Sequence, residues 1–176
     1  MKKIIFALSL VLMTTACTKI IDKLTTFQFK REAAFTIPAT ATLGIPISLN
    51  SSEVTTAYES EFNNNNSNVD RIEYIKLVGL NLSIVSPANG NFNFLKSVEI
   101  AISSDGLADK VIASRTDLEN DGLNELELTV SEEDLKPYLT KEKFSLKIEA
   151  VTDEVTTQDY DLKTEATFEA KAETSN

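Results

Sequence analysis

The densest run of potential ligand atoms in the chain is Asp117-Leu118-Glu119-Asn120-Asp121-Gly122-Leu123-Asn124-Glu125. Carboxylates at Asp117, Glu119 and Asp121, on alternate positions ahead of a glycine, are laid out like the first half of a calcium-binding loop. A hard cation of that kind needs about six to eight oxygens gathered around a tight turn. Two features oppose a complete loop. Its twelfth position is Leu128, where a bidentate Glu is needed, and the following residues alternate like a strand instead of opening a helix. The competing reading is a solvated acidic turn, because Asn120-Asp121-Gly122 suits the bend before a strand. Calcium is the only metal the residues suggest, and Asp117, Glu119 and Asp121 are its candidate ligands.

Acid–base chemistry has one candidate pair, Glu125 and Glu127, which share one face of a strand with their Cβ atoms ~7 Å apart. That is the least favoured reading, a hydrolase working with two carboxylates, because alternating charge is the ordinary pattern of an exposed strand. No histidine occurs in the 176 residues, so no Ser-His-Asp or Cys-His nucleophile and no His-containing zinc site can be built. Beyond the N-terminal segment no Ser is followed three residues later by Lys, and GxGxxG, GxxxxGK[ST] and GxSxG are absent. The residues imply no cofactor. Sugar stacking would draw on Tyr58, Tyr74, Tyr138 or Tyr160, since Trp is missing. Their bland reading is a half-buried wall with a wet hydroxyl. Asn81-Leu82-Ser83 fits a glycosylation sequon inside a strand pattern and is a chance match.

Net charge is −10, from 17 Lys+Arg against 27 Asp+Glu, which argues against a nucleic-acid partner or an anionic membrane surface. The single cysteine, Cys17, cannot close an internal disulfide. It follows Lys2 and Lys3, an apolar run from Ile4 to Met13, and Thr14-Thr15-Ala16. That is the order of a secretory signal peptide, and the apolar run is well short of the ~20 residues of a spanning helix.

These side chains must be positioned by strands. Phe27 and Phe29, Phe35 and Ile37, then Ile45, Ile47 and Leu49 alternate with polar residues, and Pro46 marks an edge strand or bulge. Ile75 and Leu77, then Leu80, Leu82 and Ile84, change phase at Val78-Gly79, as at a β-bulge. Val98 to Ile102, Val111 to Ser114, Leu126 to Val130, Phe144 to Ala150 and Tyr160 to Phe168 continue the series. Asn89-Gly90 and Ser104-Asp105-Gly106 supply turns, the former suited to positive φ. Phe92, Phe94 and Leu95 read as a core plug at a strand crossover. Two segments predict helix: 51–62, with Val54, Tyr58 and Phe62 at helical spacing and Asn63 to Asn66 ending it, and Ser131 to Asp134, with Leu135 and Leu139 as contacts and Pro137 limiting its length. The expected fold is an all-β, antiparallel β-sandwich, immunoglobulin-like or similar, of about eight or nine strands with one or two short helical turns.

Thr14-Thr15-Ala16-Cys17 resembles the lipobox of bacterial lipoproteins, with Thr14 where that family prefers Leu. The resemblance implies lipid attachment at Cys17 and cleavage before it. Removing residues 1–16 takes two of the 17 basic residues and no acids, so 15 against 27 remain, a net −12. Thr18, not Asp, follows the cysteine, which implies the outer membrane. Lys19-Ile20-Ile21-Asp22 lacks the acidic cluster of surface-exported lipoproteins, which implies a periplasmic orientation. From Val69 to Ser114, through Ser86-Pro87-Ala88-Asn89-Gly90, the Phe92–Ile100 stretch and Ser103-Ser104-Asp105-Gly106-Leu107, and again at Val151-Thr152-Asp153-Glu154, the chain is similar to a group of Bacteroidota cell-envelope lipoproteins. This likeness implies location and a β-sandwich and carries no catalytic residue or ligand. The expected organisation is a signal peptide over 1–16, a lipidated Cys17 and tether over 17–23, one β domain over 24–172, and a tail over 173–176. The leading expectation is a lipid-anchored, non-enzymatic envelope protein that engages a protein partner or serves structurally. A small-ligand, glycan or calcium-binding lipoprotein is the alternative.

Overall fold

A computed structural model describes residues 25–39, 41 and 43–173. Cys17, the signal segment and residues 174–176 lie outside this set. Alternation produces strands wherever it is sustained: β1 (Thr26–Ile37), β2 (Ile47–Asn50), β3 (Val54–Thr55), β4 (Ile72–Ser86), β5 (Leu95–Ser103), β6 (Lys110–Arg115), β7 (Glu125–Glu127), β8 (Thr129–Val130), β9 (Lys143–Thr152) and β10 (Tyr160–Ala172). Every strand pair is antiparallel. One sheet has the order β1-β10-β4-β7; the other runs β2-β9-β5-β6-β8, with β3 also on β9.

The ten strands form eight runs, because β2 and β3 both pair β9, and β7 continues into β8. The first run then pairs the last, the second the seventh, the third the sixth and the fourth the fifth. These nested pairs, wrapped into two facing sheets, are a jelly roll, so the β-sandwich has that strand order and not the immunoglobulin one. The β7–β8 run closes one side: Leu126 pairs Leu82 of the first sheet, Leu128 N–H donates to Leu80 O at 2.9 Å, and Val130 pairs Ala113 of the second. Edges handled this way offer little unpaired backbone.

The two inner faces meet around Phe168, which is fully buried, stacks on Phe29 at 5.5 Å between centroids, and meets Phe144 of the second sheet edge-on at 6.3 Å. Ile75, Leu80, Leu82, Ile100, Ile102 and Ile148 complete the core with no exposure. Outward positions of the first sheet carry matched charges: Lys30–Glu165 at 2.6 Å, Lys163–Glu32 at 3.2 Å and Lys171–Glu73 at 3.2 Å. The Lys30 ammonium hydrogen-bonds Glu165 and holds its carboxyl below the usual carboxylate range.

Several local expectations hold with changed causes. The phase slip at Val78 is a bulge, since Leu77 pairs Phe168 and Gly79 pairs Thr167, leaving Val78 unopposed and exposed. Pro46 precedes an edge strand, but that strand starts at Ile47 and leaves Ile45 outside it. Gly106 has positive φ, as does Gly122. Gly90 does not; its constraint is that a Cβ would lie 3.0 Å from both Ile84 Cγ2 and Pro87 O, tighter than ordinary contact. The helix expected over 51–62 is shorter and later, α1 (Tyr58–Asn64), preceded by β3 and running into the asparagine stretch. Ser131 to Asp134 is not helical. Asp134 Oδ1 instead accepts from Lys136 N–H and Ile75 N–H, both at 3.0 Å, and α2 (Lys136–Leu139) starts with Pro137 in its first turn instead of being cut short by it.

Strand directions give the molecule two poles. Thr26 pairs Lys171 and Ala172 pairs Ile72, so the first and last described strands enter and leave at one pole, which α1, α2 and the 104–109 turn share. At the far pole lie four connections: 38–46 between β1 and β2, 87–94 between β4 and β5, 116–124 between β6 and β7, and 153–159 between β9 and β10.

Candidate functional site

The far-pole connections form one continuous, hydrogen-bonded surface. Thr156 is buried; its hydroxyl donates to Pro38 O at 2.8 Å and accepts from Ala41 N–H at 3.3 Å. Asp159 Oδ1 accepts from Ala39 N–H at 2.8 Å, and Gly44 N–H donates to Thr152 O at 2.8 Å. Asp153 N–H reaches Phe94 O at 3.1 Å, which couples 153–159 to the neighbouring connection. Phe92 and Phe94 are buried in a 3₁₀ turn that Asn91 caps through Asn93 N–H, and Phe94 packs on Tyr160 at 4.3 Å between centroids. The expected core plug is therefore real, and it sits where the chain crosses from one sheet to the other. Asn93 Oδ1 in turn accepts from Gly122 N–H at 2.9 Å, while Phe92 N–H donates to Leu123 O at 2.8 Å. Loops held by this many partners are preorganised.

This surface carries apolar side chains that the fold does not bury. Among the described residues seven large hydrophobics are exposed, and five stand at this pole: Val155 (63%), Val85 (61%), Ile45 (58%), Leu43 (55%) and Leu123 (40%). Gly44, whose N–H is tied down and whose φ is +72°, turns the chain between Leu43 and Ile45. The same four connections contain Asp117, Glu119, Asp121, Asp153, Glu154 and Asp159 and no Lys or Arg. Sequence periodicity assigned Ile45 to a strand and gave Leu43, Val85 and Val155 no role. Their clustering depends on which loops share a pole, which only the topology reveals.

The calcium candidates Asp117, Glu119 and Asp121 line one shallow depression of ≈ 270 Å³ together with Arg115. No group of three or more His, Cys, Asp or Glu among the described residues is placed to hold a metal ion. Asp121 Oδ1 faces its own turn, 3.4 Å from Leu123 N, and Asp117 has a φ of +53°. Arg115 brings a positive charge to the same depression, and its Nη1 donates to Glu127 O at 3.3 Å. Glu125 and Glu127 are both exposed on β7, opposite Ser83 and Asn81 of β4, as a solvated strand face requires. Asn81 lies in the middle of β4.

The tyrosines are dispersed. Tyr138 is buried and donates its hydroxyl to Ala108 O at 2.7 Å, so it is a core strut without the wet hydroxyl expected of it. Tyr160 packs on Phe94, and the ammonium groups of Lys76 and Lys171 lie over the ring of Tyr74, 5.4 and 5.9 Å from its centre. Tyr58 packs on Phe62 and flanks a cleft of ≈ 390 Å³ with Thr55, Thr56 and Glu142. A second cleft of ≈ 680 Å³ adjoins it through Glu142 and Lys143, lined by Glu53, Asp105 and three serines. Both open at the pole where the chain enters. Glu53 hydrogen-bonds Lys143 at 2.9 Å and raises the pKa of that ammonium.

No family model matches the sequence, and no curated protein matches it. Among solved structures, it is similar to a family 32 carbohydrate-binding module of Clostridium perfringens NanJ in complex with galactose: 13% identity, 82% of this chain and 96% of the other covered, TM-score 0.37. A second module of that family, from a Clostridium perfringens protein in complex with GalNAc-β-1,3-galactose, gives 9% identity, 81% and 96% coverage and a TM-score of 0.35. The empty capsid of Triatoma virus gives 10% identity, 89% and 95% coverage and a TM-score of 0.41. The likeness extends to sugar-binding modules and a viral shell alike, and no function follows from it.

Proposed function

We propose that this protein is a non-enzymatic cell-envelope module, anchored through lipid at Cys17, that presents its far pole to a protein partner. The observation that carries the reading is polar asymmetry: the chain enters and leaves at one pole, and the exposed apolar side chains gather on the connected loops of the other. Eight residues, nine Cα-to-Cα steps, separate Cys17 from Thr26 and can reach at most ~30 Å. β1 alone then extends ~40 Å, at ~3.3 Å per residue, toward the far pole. A tether at Cys17 would therefore hold the α1 pole toward the bilayer and the far pole away from it. Lipid contributes ~0.8 kcal/mol per buried CH₂, and two or more chains make such an anchor durable. The outer membrane, with the domain facing the periplasm, is the proposed location.

Fractionation of cells making wild type and Cys17→Ser tests the anchor. Wild type is expected in the detergent-soluble membrane fraction and to take up labelled palmitate, with Cys17→Ser released and unlabelled; equal membrane association of both forms would refute it.

A second reading, a small polar ligand such as a glycan, rests on the adjoining clefts beside Tyr58, where hydroxyls, carboxylates and a half-buried ring meet. A glycan-array signal lost in Tyr58→Ala would favour it.

A further inference from the structure

The far pole constrains the chemistry of its occupant. Single exposed hydrophobics are normal on a protein surface, but among the described residues five of seven stand at one pole, four on loops that hydrogen bonds fix in place and Val85 near the end of β4. Leu43 and Ile45 flank Gly44, whose N–H ties their loop to Thr152 O three residues before Val155; Val85 and Leu123 adjoin the bond from Ile84 N–H to Asn124 O at 3.0 Å. Around them the four connections contribute six carboxylates, flanked by two cations, Arg115 in the depression of Asp117, Glu119 and Asp121 and Lys96 beside Leu118, so acid is in excess. Elsewhere the surface differs. The outer face of the first sheet interleaves Lys30, Lys163 and Lys171 with Glu165, Glu32 and Glu73. The far pole is thus a region of the described surface where exposed apolar tips meet an excess of acid.

Three occupants could cover it. A second copy of this chain would bring six more carboxylates against the same pole, and like charges facing each other oppose association. An anionic lipid surface meets the same repulsion. A protein surface with an apolar centre and a basic rim gains on both counts, burying the aliphatic tips while its cations face the acids.

We propose that the far pole docks a basic protein partner through Leu43, Ile45, Val155, Val85 and Leu123, with Glu119, Asp153 and Glu154 selecting for lysine and arginine at its rim. This rests on the interaction-module reading and specifies the partner's chemistry.

The test uses the full chain purified from envelopes in neutral detergent. The probe is a fluorescent amphipathic peptide with one leucine face and one lysine face, beside an analogue with glutamine for lysine. The lysine peptide is expected to bind, to weaken ~10-fold between 0.05 and 0.3 M salt, and to weaken by a similar factor in Leu43→Ser/Val155→Ser and in Glu119→Gln/Asp153→Asn/Glu154→Gln. The variant Glu59→Gln/Glu99→Gln/Glu132→Gln removes equal charge away from the pole and is expected to bind as wild type does. Near-ultraviolet circular dichroism identifies any variant that has not folded, and a photocrosslink from position 123 of the otherwise unchanged chain then supplies the same readout. Four results would overturn the proposal: equal binding of the glutamine analogue, equal loss in the remote-charge variant, far-pole-dependent binding of phosphatidylglycerol vesicles in place of the peptide, or concentration-dependent dimers that Leu43→Ser/Val155→Ser abolishes. Loss of peptide binding with Cys17-dependent fractionation intact would remove the basic partner and leave the anchor. Cys17-independent fractionation would remove the anchor and leave the titration interpretable.

Discussion

The hydroxyl of Thr156 donates to the carbonyl of Pro38 at 2.8 Å across 118 positions of sequence. Because Thr156 is buried and also receives Ala41 N–H, it joins the β9–β10 connection to the β1–β2 connection at the far pole. Thr156→Val keeps the shape and removes the donor, leaving the half-buried Pro38 carbonyl with Ala41 N–H alone, at 3.2 Å. Loss of one such hydrogen bond costs about 0.5–1.5 kcal/mol. Urea unfolding should record it as a lower midpoint with an unchanged slope.

Phe168 is the side chain on which both sheets close. Truncation to Ala removes its stacking on Phe29 and its edge contact with Phe144 and leaves a cavity where nothing is exposed. A destabilisation of about 3–5 kcal/mol is expected, against about zero for Val78→Ala on the outward bulge. Paired denaturation curves check the contrast.

Gly90 and Gly79 should respond oppositely to alanine. At Gly90 a new Cβ would press on backbone and side chain of its own turn, Pro87 O and Ile84 Cγ2 at 3.0 Å, and neither is the free end of a flexible group. At Gly79 the nearest atom is Thr167 Cβ at 4.0 Å, an ordinary contact. Gly79→Ala is expected to be neutral or to stabilise by about 0.4–1 kcal/mol through the unfolded chain, and Gly90→Ala to lower the melting temperature.

These residues also mark how far the sequence could be read. Period-2 alternation located the eight runs, and the slip at Val78-Gly79 located the bulge, because both are written in adjacent residues. Positive φ was expected at Gly90 on turn chemistry, whereas its real constraint is the approach of Ile84 and Pro87. Helix spacing through Val54, Tyr58 and Phe62 was overridden when Val54 paired Phe144 of β9. The jelly-roll order and the far-pole cluster depend on pairings such as Ile37 with Tyr160, 123 positions apart, and no local pattern encodes those. Asp117, Glu119 and Asp121 were legible as acids. That Arg115 shares their depression was not.

Acid should act through Glu165. Its folded-state pKa is depressed by Lys30, so its contribution is present above the ordinary carboxylate range and is lost as pH falls through that range and below. Lys30→Met should therefore narrow the difference in melting temperature between pH 6 and pH 3 relative to wild type. An unchanged difference would mean that the pair is fully screened by solvent.

Calcium has no gathered ligand set among the described residues. Millimolar calcium should leave the thermal midpoint unmoved; a rise abolished by Asp121→Asn would restore the acidic turn as a site.

The most direct measurement of the central claim is site-specific photocrosslinking in intact envelopes. A photoreactive side chain is placed at Val155 on the far pole, at Ala34 on the sheet face, or at Asn64 beside the chain entry. A discrete protein adduct from position 155, absent at 34 and 64 and lost in Cys17→Ser, is the expected result. Adducts from position 34 or 64 with none from 155 would contradict it.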